Sequence, residues 1–300
     1  MKNYQKYFYN DCMIALQRNQ RPFIDEGDRT CPFCLANEES LDKIITEKWH
    51  ADELMIRIVP NLYPITSQEE ARGIHDVIID TAHHTCHPKD FTQKHWEILL
   101  EELQNRWQVL MKDPTLHFIQ IFKNYGLQAG ASISHSHWQL IALEEIPYSV
   151  KKKYEVYGQD HKPCYLCEKE HQQEGYRIHE DDLWEIWVPP VIEFPYEVWV
   201  VPKQHYQHYG QLALEELKKL GEHMKHLLEA YHQLEPHYAF NICMMSGDLK
   251  GKYPYHFYMK LMIRTGHVAG FEIATGCHIV SVSPKQYAER IKTILKGMYK

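Results

Sequence analysis

The sequence predicts an α+β fold laid down twice, with antiparallel strands and one long helix in each half. Three observations carry that expectation. Two Cys-x-x-Cys pairs, Cys31-Pro32-Phe33-Cys34 and Cys164-Tyr165-Leu166-Cys167, stand 133 positions apart. Each is followed by two histidines offset by 51, His84 and His135 after the first and His205 and His256 after the second, as an internal duplication requires. Strand-like and helix-like segments then recur in the same order in both halves. The βαβ alternation of a doubly wound sheet is missing, as are a Gly-x-Gly-x-x-Gly and a Walker loop.

The elements follow in order. Residues 53–59 and 74–79 read as short strands from their β-branched content. From Lys89 to about Met111 apolar residues recur at helical spacing (Trp96, Leu99-Leu100, Leu103, Trp107, Leu110), and Asp113-Pro114 ends the helix. Residues 116–122 and 136–143 alternate as strands joined by a loop with Gly126 and Gly130. Residues 144–163, with Lys151-Lys152-Lys153, read as a linker between a first half, 1–150, and a second, 151–300. The second half has strands at 183–188 and 197–201 and a helix from Leu212 to Leu234 closed by Pro236. Strands at 238–243 and 256–263 follow, then a last helix from Pro284 to Lys296 with Gly297 as its stop.

Composition bounds the function. Thirty-three Lys and Arg against 40 Asp and Glu give a net charge of −7, a poor match to a phosphate backbone, so nucleic acid is not an expected partner. A chain 44% hydrophobic and 24% charged is globular rather than disordered. No run approaches the 18 apolar residues of a membrane span and no secretory leader opens the sequence, so a cytoplasmic protein is expected. The anomaly is 21 His and 8 Cys. In a reducing compartment a Cys-x-x-Cys is a metal clamp or a redox couple, and a redox motif usually occurs once. Zinc needs two further ligands per pair, which a histidine-rich chain supplies as imidazole. Cys31, Cys34, His84 and His135 make one candidate site, and Cys164, Cys167, His205 and His256 a second. With four protein ligands each leaves no open position, so the metal's role would be structural.

The densest polar cluster runs from Asn124-Tyr125-Gly126 through Gly130-Ala131-Ser132-Ile133-Ser134-His135-Ser136-His137-Trp138-Gln139. On a strand His135, His137 and Gln139 project from one face, while Trp138, Leu140 and Ala142 project from the other. This segment resembles the active-site strand of the galactose-1-phosphate uridylyltransferases, the transferase branch of the histidine-triad superfamily. The resemblance implies two histidine-triad-like halves, zinc on the two clusters above, and His137 as the nucleophile that takes up a nucleotidyl group. It further implies Gln139 and Ser132 in the catalytic centre. Arg18 and Arg21 would reach a substrate phosphate, in this family often across a homodimer interface, and Asn61, Asn124, Gly130 and Gln139 would bind substrate. The second half, with Gly270-Phe271-Glu272-Ile273-Ala274-Thr275-Gly276-Cys277, is more similar to plant-type ADP-glucose phosphorylase relatives, as is Gly73-x-His75-Asp76-Val77. The substrates implied are a nucleoside-diphosphate sugar and a sugar phosphate or inorganic phosphate.

The chemistry suits these residues. Imidazole is largely neutral and nucleophilic near pH 7, and its bond to phosphorus stays labile. A sugar phosphate with a second pKa of about 6 leaves without a proton. Gln139 can therefore donate hydrogen bonds to phosphoryl oxygens without acting as a base, which favours transfer over the hydrolysis of dinucleoside polyphosphates. In the second half Tyr258 and Lys260 fall at the positions of His137 and Gln139, so one catalytic centre per chain is expected. Ser136, Trp138 and Ala131 depart from the family pattern, which holds a proline, a small residue and a cysteine there.

Overall fold

The computed structural model describes residues 12–24, 30–66, 71–158, 164–168, 176–252, 255–266 and 268–299. Ten strands form one antiparallel sheet: β1 (Thr46–His50), β2 (Glu53–Pro60), β3 (Gly73–Ile79), β4 (Phe118–Tyr125), β5 (His137–Leu143), β6 (Arg177–Glu180), β7 (Trp184–Trp187), β8 (Val198–Pro202), β9 (Ala239–Met245) and β10 (Tyr258–Arg264). Their order, β1-β2-β3-β5-β4-β9-β10-β8-β7-β6, is the same five-strand pattern written twice and joined where β4 pairs with β9. The duplication inferred from the cysteine and histidine spacing is thus a pseudo-two-fold in the sheet.

Among the described residues five α-helices accompany it: α1 (Gln93–Leu110), α2 (Tyr148–Gly158), α3 (Leu214–Leu234), α4 (Gly270–Thr275) and α5 (Pro284–Leu295). The apolar stripes of α1 (Trp96, Leu99, Leu103, Trp107) and α3 (Leu217, Leu220, Met224, Leu228) pack on one face of the sheet. There they join Trp138, Leu140, Ala142, Met259 and Leu261 in a core that runs through both halves. The opposite face is left for Cys31, Phe33, Val77, Ile79 and Ile133 in the first half, and for Tyr154, Trp187, Val201 and Tyr258 in the second. Alternation along β5 thus sends Trp138 to the core and His137 to the open face. Trp138 is fully buried there, a position that a bulky residue fits.

Two expectations change. The span 144–163 is not a plain linker. Tyr148–Gly158 is helical, and Tyr154 is buried with its hydroxyl donating to the Ser246 carbonyl at 2.5 Å. Burial of one tyrosine and one apolar edge stabilises a helix whose exposed face carries the three lysines. The edge strands β1 and β6 were not foreseen. Their sequences, TEKWH and RIHE, are polar because an edge strand has one free side and uses charge to discourage further pairing.

Candidate active site and metal-ligating groups

The site grows from the turn between β4 and β5. Gly126 (φ 83°) and Gly130 (φ 86°) bend the chain where a side chain cannot follow, and a Cβ on Gly126 would stand 2.9 Å from that of Ala239. Asn241 on β9 clamps this turn, its amide donating to the Ala129 carbonyl at 2.9 Å and to Asn124 Oδ1 at 2.8 Å. The second half thereby holds the loop from which the first half's polar residues project. The N-terminal segment covers it: Ile24 exchanges backbone hydrogen bonds with Ser132 and Ser134 at 2.8 and 2.9 Å. Arg18 donates to the Tyr63 carbonyl at 3.0 Å, which fastens it to the Asn61–Tyr63 turn.

His137 opens β5 and is buried, with the Phe33 ring edge-on at 5.2 Å. Its Nδ1 lies 2.8 Å from the His135 carbonyl, an acceptor, so Nδ1 carries the proton and Nε2 keeps the lone pair. Burial is the largest influence on the ring and pushes its pKa down to about 4, which keeps it neutral at pH 7. Behind the strand, Lys123 donates to the His137 carbonyl at 3.2 Å, to Ser136 Oγ at 2.7 Å and to Asp80 at 2.7 Å. Lys123 and Asp80 are both inaccessible to solvent, so this ion pair fixes the backbone at His137 rather than tuning the surface. Neither residue stood out in the sequence. Lys123 immediately precedes the polar cluster that starts at Asn124, and Asp80 follows an ordinary strand.

Gln139, two residues along the same face, points its Oε1 at His75 Nε2, 3.0 Å away. The Ile65 N–H donates to His75 Nδ1 at 3.1 Å, so the proton of the neutral ring sits on Nε2 and is given to Gln139. The carboxamide is therefore held with its NH₂ turned away from His75. Burial pushes the His75 pKa down to about 4, and the nearby charges of Arg18 and Arg21 act in the same direction. Both arginines thus sit near Gln139 in the same chain. Asn61 lies beside the group, its Oδ1 accepting the Tyr63 N–H at 2.8 Å.

Cys31, Cys34, His84 and His135 converge with their ligand atoms within 4.8 Å of one another, and so do Cys164, Cys167, His205 and His256. In the first group Sγ–Nδ1 separations are 3.3 Å (Cys34–His84), 3.6 Å (Cys34–His135) and 3.7 Å (Cys31–His135). In the second they are 3.2 Å (Cys167–His205), 3.3 Å (Cys167–His256) and 3.5 Å (Cys164–His256). Tetrahedral zinc with ordinary Zn–S and Zn–N bonds would set sulfur and nitrogen about 3.6 Å apart. The far side of each buried histidine fits as well. His135 Nε2 lies 2.8 Å from the Thr81 carbonyl and His256 Nε2 2.9 Å from the Pro202 carbonyl. Each ring then donates from Nε2 and offers Nδ1 to a metal. Donor set, spacing and tautomer all suit zinc at both places.

The second half arranges the corresponding face differently. Val77 pairs with Gln139 and Trp199 with Lys260, so His75 and Glu197 occupy equivalent places. Lys260 contacts Glu193 at 2.7 Å and Glu197 at 3.1 Å, and Tyr258 stacks on Trp199 with ring centres 4.4 Å apart. Met244 stands where Lys123 stands in the first half.

A family model described as the N-terminal domain of a domain of unknown function (DUF4931) matches residues 13–146. ADP-glucose phosphorylase of Arabidopsis thaliana is 28% identical over 289 residues, covering 88% of this chain and 82% of the relative. Galactose-1-phosphate uridylyltransferase of Thermotoga maritima is 29% identical over 171 residues, 56% of this chain and 54% of that protein. The crystal structure of an ADP-glucose phosphorylase from Arabidopsis thaliana with bound ADP-glucose superposes with a TM-score of 0.80 at 28% identity, over 92% of each chain. Among the described residues no helix is long and apolar enough to cross a membrane.

Proposed function

From this homology to galactose-1-phosphate uridylyltransferases and ADP-glucose phosphorylases, we propose that the chain is a nucleotidyltransferase working through a covalent nucleotidyl-histidine on His137. It moves UMP or AMP from a nucleoside-diphosphate sugar to a hexose 1-phosphate, or in a phosphorolytic version to inorganic phosphate. The alignment with the phosphorylase over most of both chains supports the second acceptor alongside the first.

The observation that carries the reading is the tautomer of His137, whose Nδ1–H is committed to the His135 carbonyl. Nε2 attacks the α-phosphorus, the N–P bond forms, and the bond from phosphorus to the bridging oxygen breaks as the sugar phosphate leaves. An oxygen of the acceptor phosphate then attacks the same phosphorus and the N–P bond returns its electrons to Nε2. Gln139, oriented by His75, donates to the phosphoryl oxygens as charge gathers on them, and carries no basic lone pair with which to activate water. Arg18 and Arg21 neutralise a terminal phosphate. Asn61, Asn124, Gly130 and Ser132 line the nucleotide and the oxyanion side. Zinc on Cys31, Cys34, His84 and His135 ties the catalytic strand to the Phe33 turn, and on Cys164, Cys167, His205 and His256 it secures the second half. Residues 1–150 form the catalytic repeat and 151–300 a supporting one. A cytoplasmic setting in carbohydrate metabolism, where thiols stay reduced, and a homodimer complete the proposal. Solution mass tests the dimer.

Incubation with labelled UDP-glucose or ADP-glucose and a denaturing quench at high pH should trap an acid-labile, base-stable adduct. A His137→Ala chain that still forms it removes the assignment. Product analysis with a hexose 1-phosphate and with phosphate separates the two acceptors.

A further inference from the structure

A third group of ligand-bearing side chains lies at the far edge of the second half, on the helix-covered face. His179 on β6, Asp181 in the turn after it and His223 on α3 bring one ligand atom each within 4.8 Å of one another. His223 Nε2 and Asp181 Oδ2 are 3.0 Å apart, close enough to pair when the ring carries its proton there. His179 Nε2, beside that pair, is buried without a hydrogen-bond partner. A buried ring nitrogen left unpaired beside a carboxylate and a second imidazole would be a costly arrangement in a protein that had no use for it.

We propose that His179, Asp181 and His223 bind a divalent transition-metal ion of the zinc type, at a site independent of the nucleotidyl-transfer reading. Two imidazoles and one carboxylate are a ligand set that such ions accept, with the remaining positions left to water. The outer contacts fit the assignment. Asp181 Oδ1 is occupied by the Leu183 and Trp184 N–H groups at 2.9 and 2.8 Å, which leaves Oδ2 to the shared point. His223 Nδ1 lies 2.7 Å from the Tyr299 hydroxyl, and the same tyrosine stacks on His179 with centres 3.6 Å apart, so one residue orients both rings.

The first half supplies an internal control. Glu102 on α1 stands where His223 stands on α3, and it contacts Lys48 of β1 at 3.1 Å. There a side-chain ammonium bridges edge strand and helix. In the second half the strand offers another ligand instead of a cation, and Lys219 comes only within 3.8 Å of Asp181 while bonding Glu222 at 2.7 Å. A cation from outside would meet Asp181 Oδ2 and both imidazoles at once. A cleft of about 390 Å³ opens beside Asp181, lined also by Asp182, Glu215 and Glu222 and by Lys218 and Lys219, so that its carboxylates outnumber its ammonium groups and leave the approach net negative. Bound there, the ion would fasten β6 and α3 together, with Tyr299 holding the chain beyond α5 against them.

The test counts metal on the whole chain. Protein equilibrated with excess zinc chloride and desalted should hold one more zinc per chain than its Asp181→Asn variant, by mass spectrometry of the metal. Asp181→Asn keeps the acceptor for Leu183 and Trp184, and His179→Ala on the edge strand serves as a second variant that spares the buried His223. Cobalt titration adds a signature. The third equivalent should bring d–d absorption without the thiolate charge-transfer band that marks the cysteine sites, and each variant should bind it at least about tenfold more weakly. Equal zinc counts in wild type and both variants, or a third cobalt carrying the thiolate band, would overturn the proposal. Loss of the third equivalent only in Cys167→Ser would overturn it too.

Discussion

The two halves of the sheet start from one plan and end in opposite electrostatic states. On the open face of the first half stand neutral groups, His137, Gln139 and His75, each fixed by a hydrogen bond. On the same face of the second half stand an ammonium and two carboxylates, Lys260 with Glu193 and Glu197, closed on themselves. Beneath the strands the situation inverts. The first half buries the Lys123–Asp80 pair, whereas the second has Met244 at the lysine position and only Val201 and Pro202 where β3 runs into Asp80. A face that does the proposed chemistry needs uncompensated donors and lone pairs aimed outward, and therefore needs rigid charge behind it. A supporting face can satisfy its charges at its own surface and fill the interior with hydrocarbon. The two Cys-Cys-His-His groups, common to both, belong to the shared scaffold.

The largest test of this asymmetry is chemical. His137→Ala should lower nucleotidyl transfer on the order of 10⁴-fold or more, because the covalent route is lost, while Tyr258→Phe at the equivalent place should leave the rate within a factor of about two. Steady-state rates with a nucleotide-sugar donor decide it, and a large loss in Tyr258→Phe would mean that the second face takes part in the chemistry.

Next comes the interior. Lys123→Met alone copies the second half's residue but strands Asp80 as an unpaired buried carboxylate, and should cost about 3–5 kcal/mol in denaturant unfolding. The double variant Lys123→Met with Asp80→Val copies the apolar arrangement and should recover most of that stability. It should not recover the transfer rate, since nothing then holds the His137 carbonyl from behind. A double variant as fast as wild type would show that the ion pair has no part in positioning His137.

The seam between the halves has a proton-linked signature. His87 packs against Tyr125 of the first half and Tyr238 and Phe240 of the second, at 4.5, 5.3 and 5.9 Å. Burial there pushes its pKa down to about 4, with Asp90 opposing and Lys89, Lys123 and His232 assisting. The unfolded ring, near 6.5, binds a proton that the folded ring refuses. The stability this confers is therefore complete above about pH 6.5 and lost as pH falls towards 4. Between pH 7 and pH 5 the loss should be about 2 kcal/mol. His87→Phe keeps an aromatic ring and should flatten that part of the pH dependence in unfolding titrations. An unchanged slope would show that His87 is not among the groups responsible.

These contrasts also mark what the sequence could disclose. Long apolar periodicity made α1 and α3 legible, and the paired spacings of cysteine and histidine made the duplication legible, because both are patterns along the chain. The polar edge strands β1 and β6 were hidden because an edge strand needs no alternation. The continuity of the sheet through β4 and β9 was hidden because pairing across more than a hundred residues leaves no local trace. Within the site, His137 and Gln139 could be read from alternation on one strand. Lys123, Asp80 and the clamp by Asn241 could not, since each acts through a backbone carbonyl or a partner far away in sequence.

His75 is the case between, present in a recognisable segment but without a legible role until its hydrogen bonds are traced. It should act on rate by orienting Gln139 rather than by touching the reacting atoms. His75→Ala should lower kcat about 10- to 100-fold with little change in KM, the scale on which partners that orient a working side chain usually matter. His75→Gln can still donate to Gln139 Oε1 and should restore part of the rate. His75→Glu reproduces the second half's Glu197, but a carboxylate at pH 7 has no proton to give. The Gln139 amide would turn its NH₂ inward and present an oxygen to the phosphates, so this variant should be slower than His75→Ala. If His75→Glu is the faster of the two, the direction of the Gln139 carboxamide does not control the reaction, and the difference between the two faces lies in the nucleophile alone.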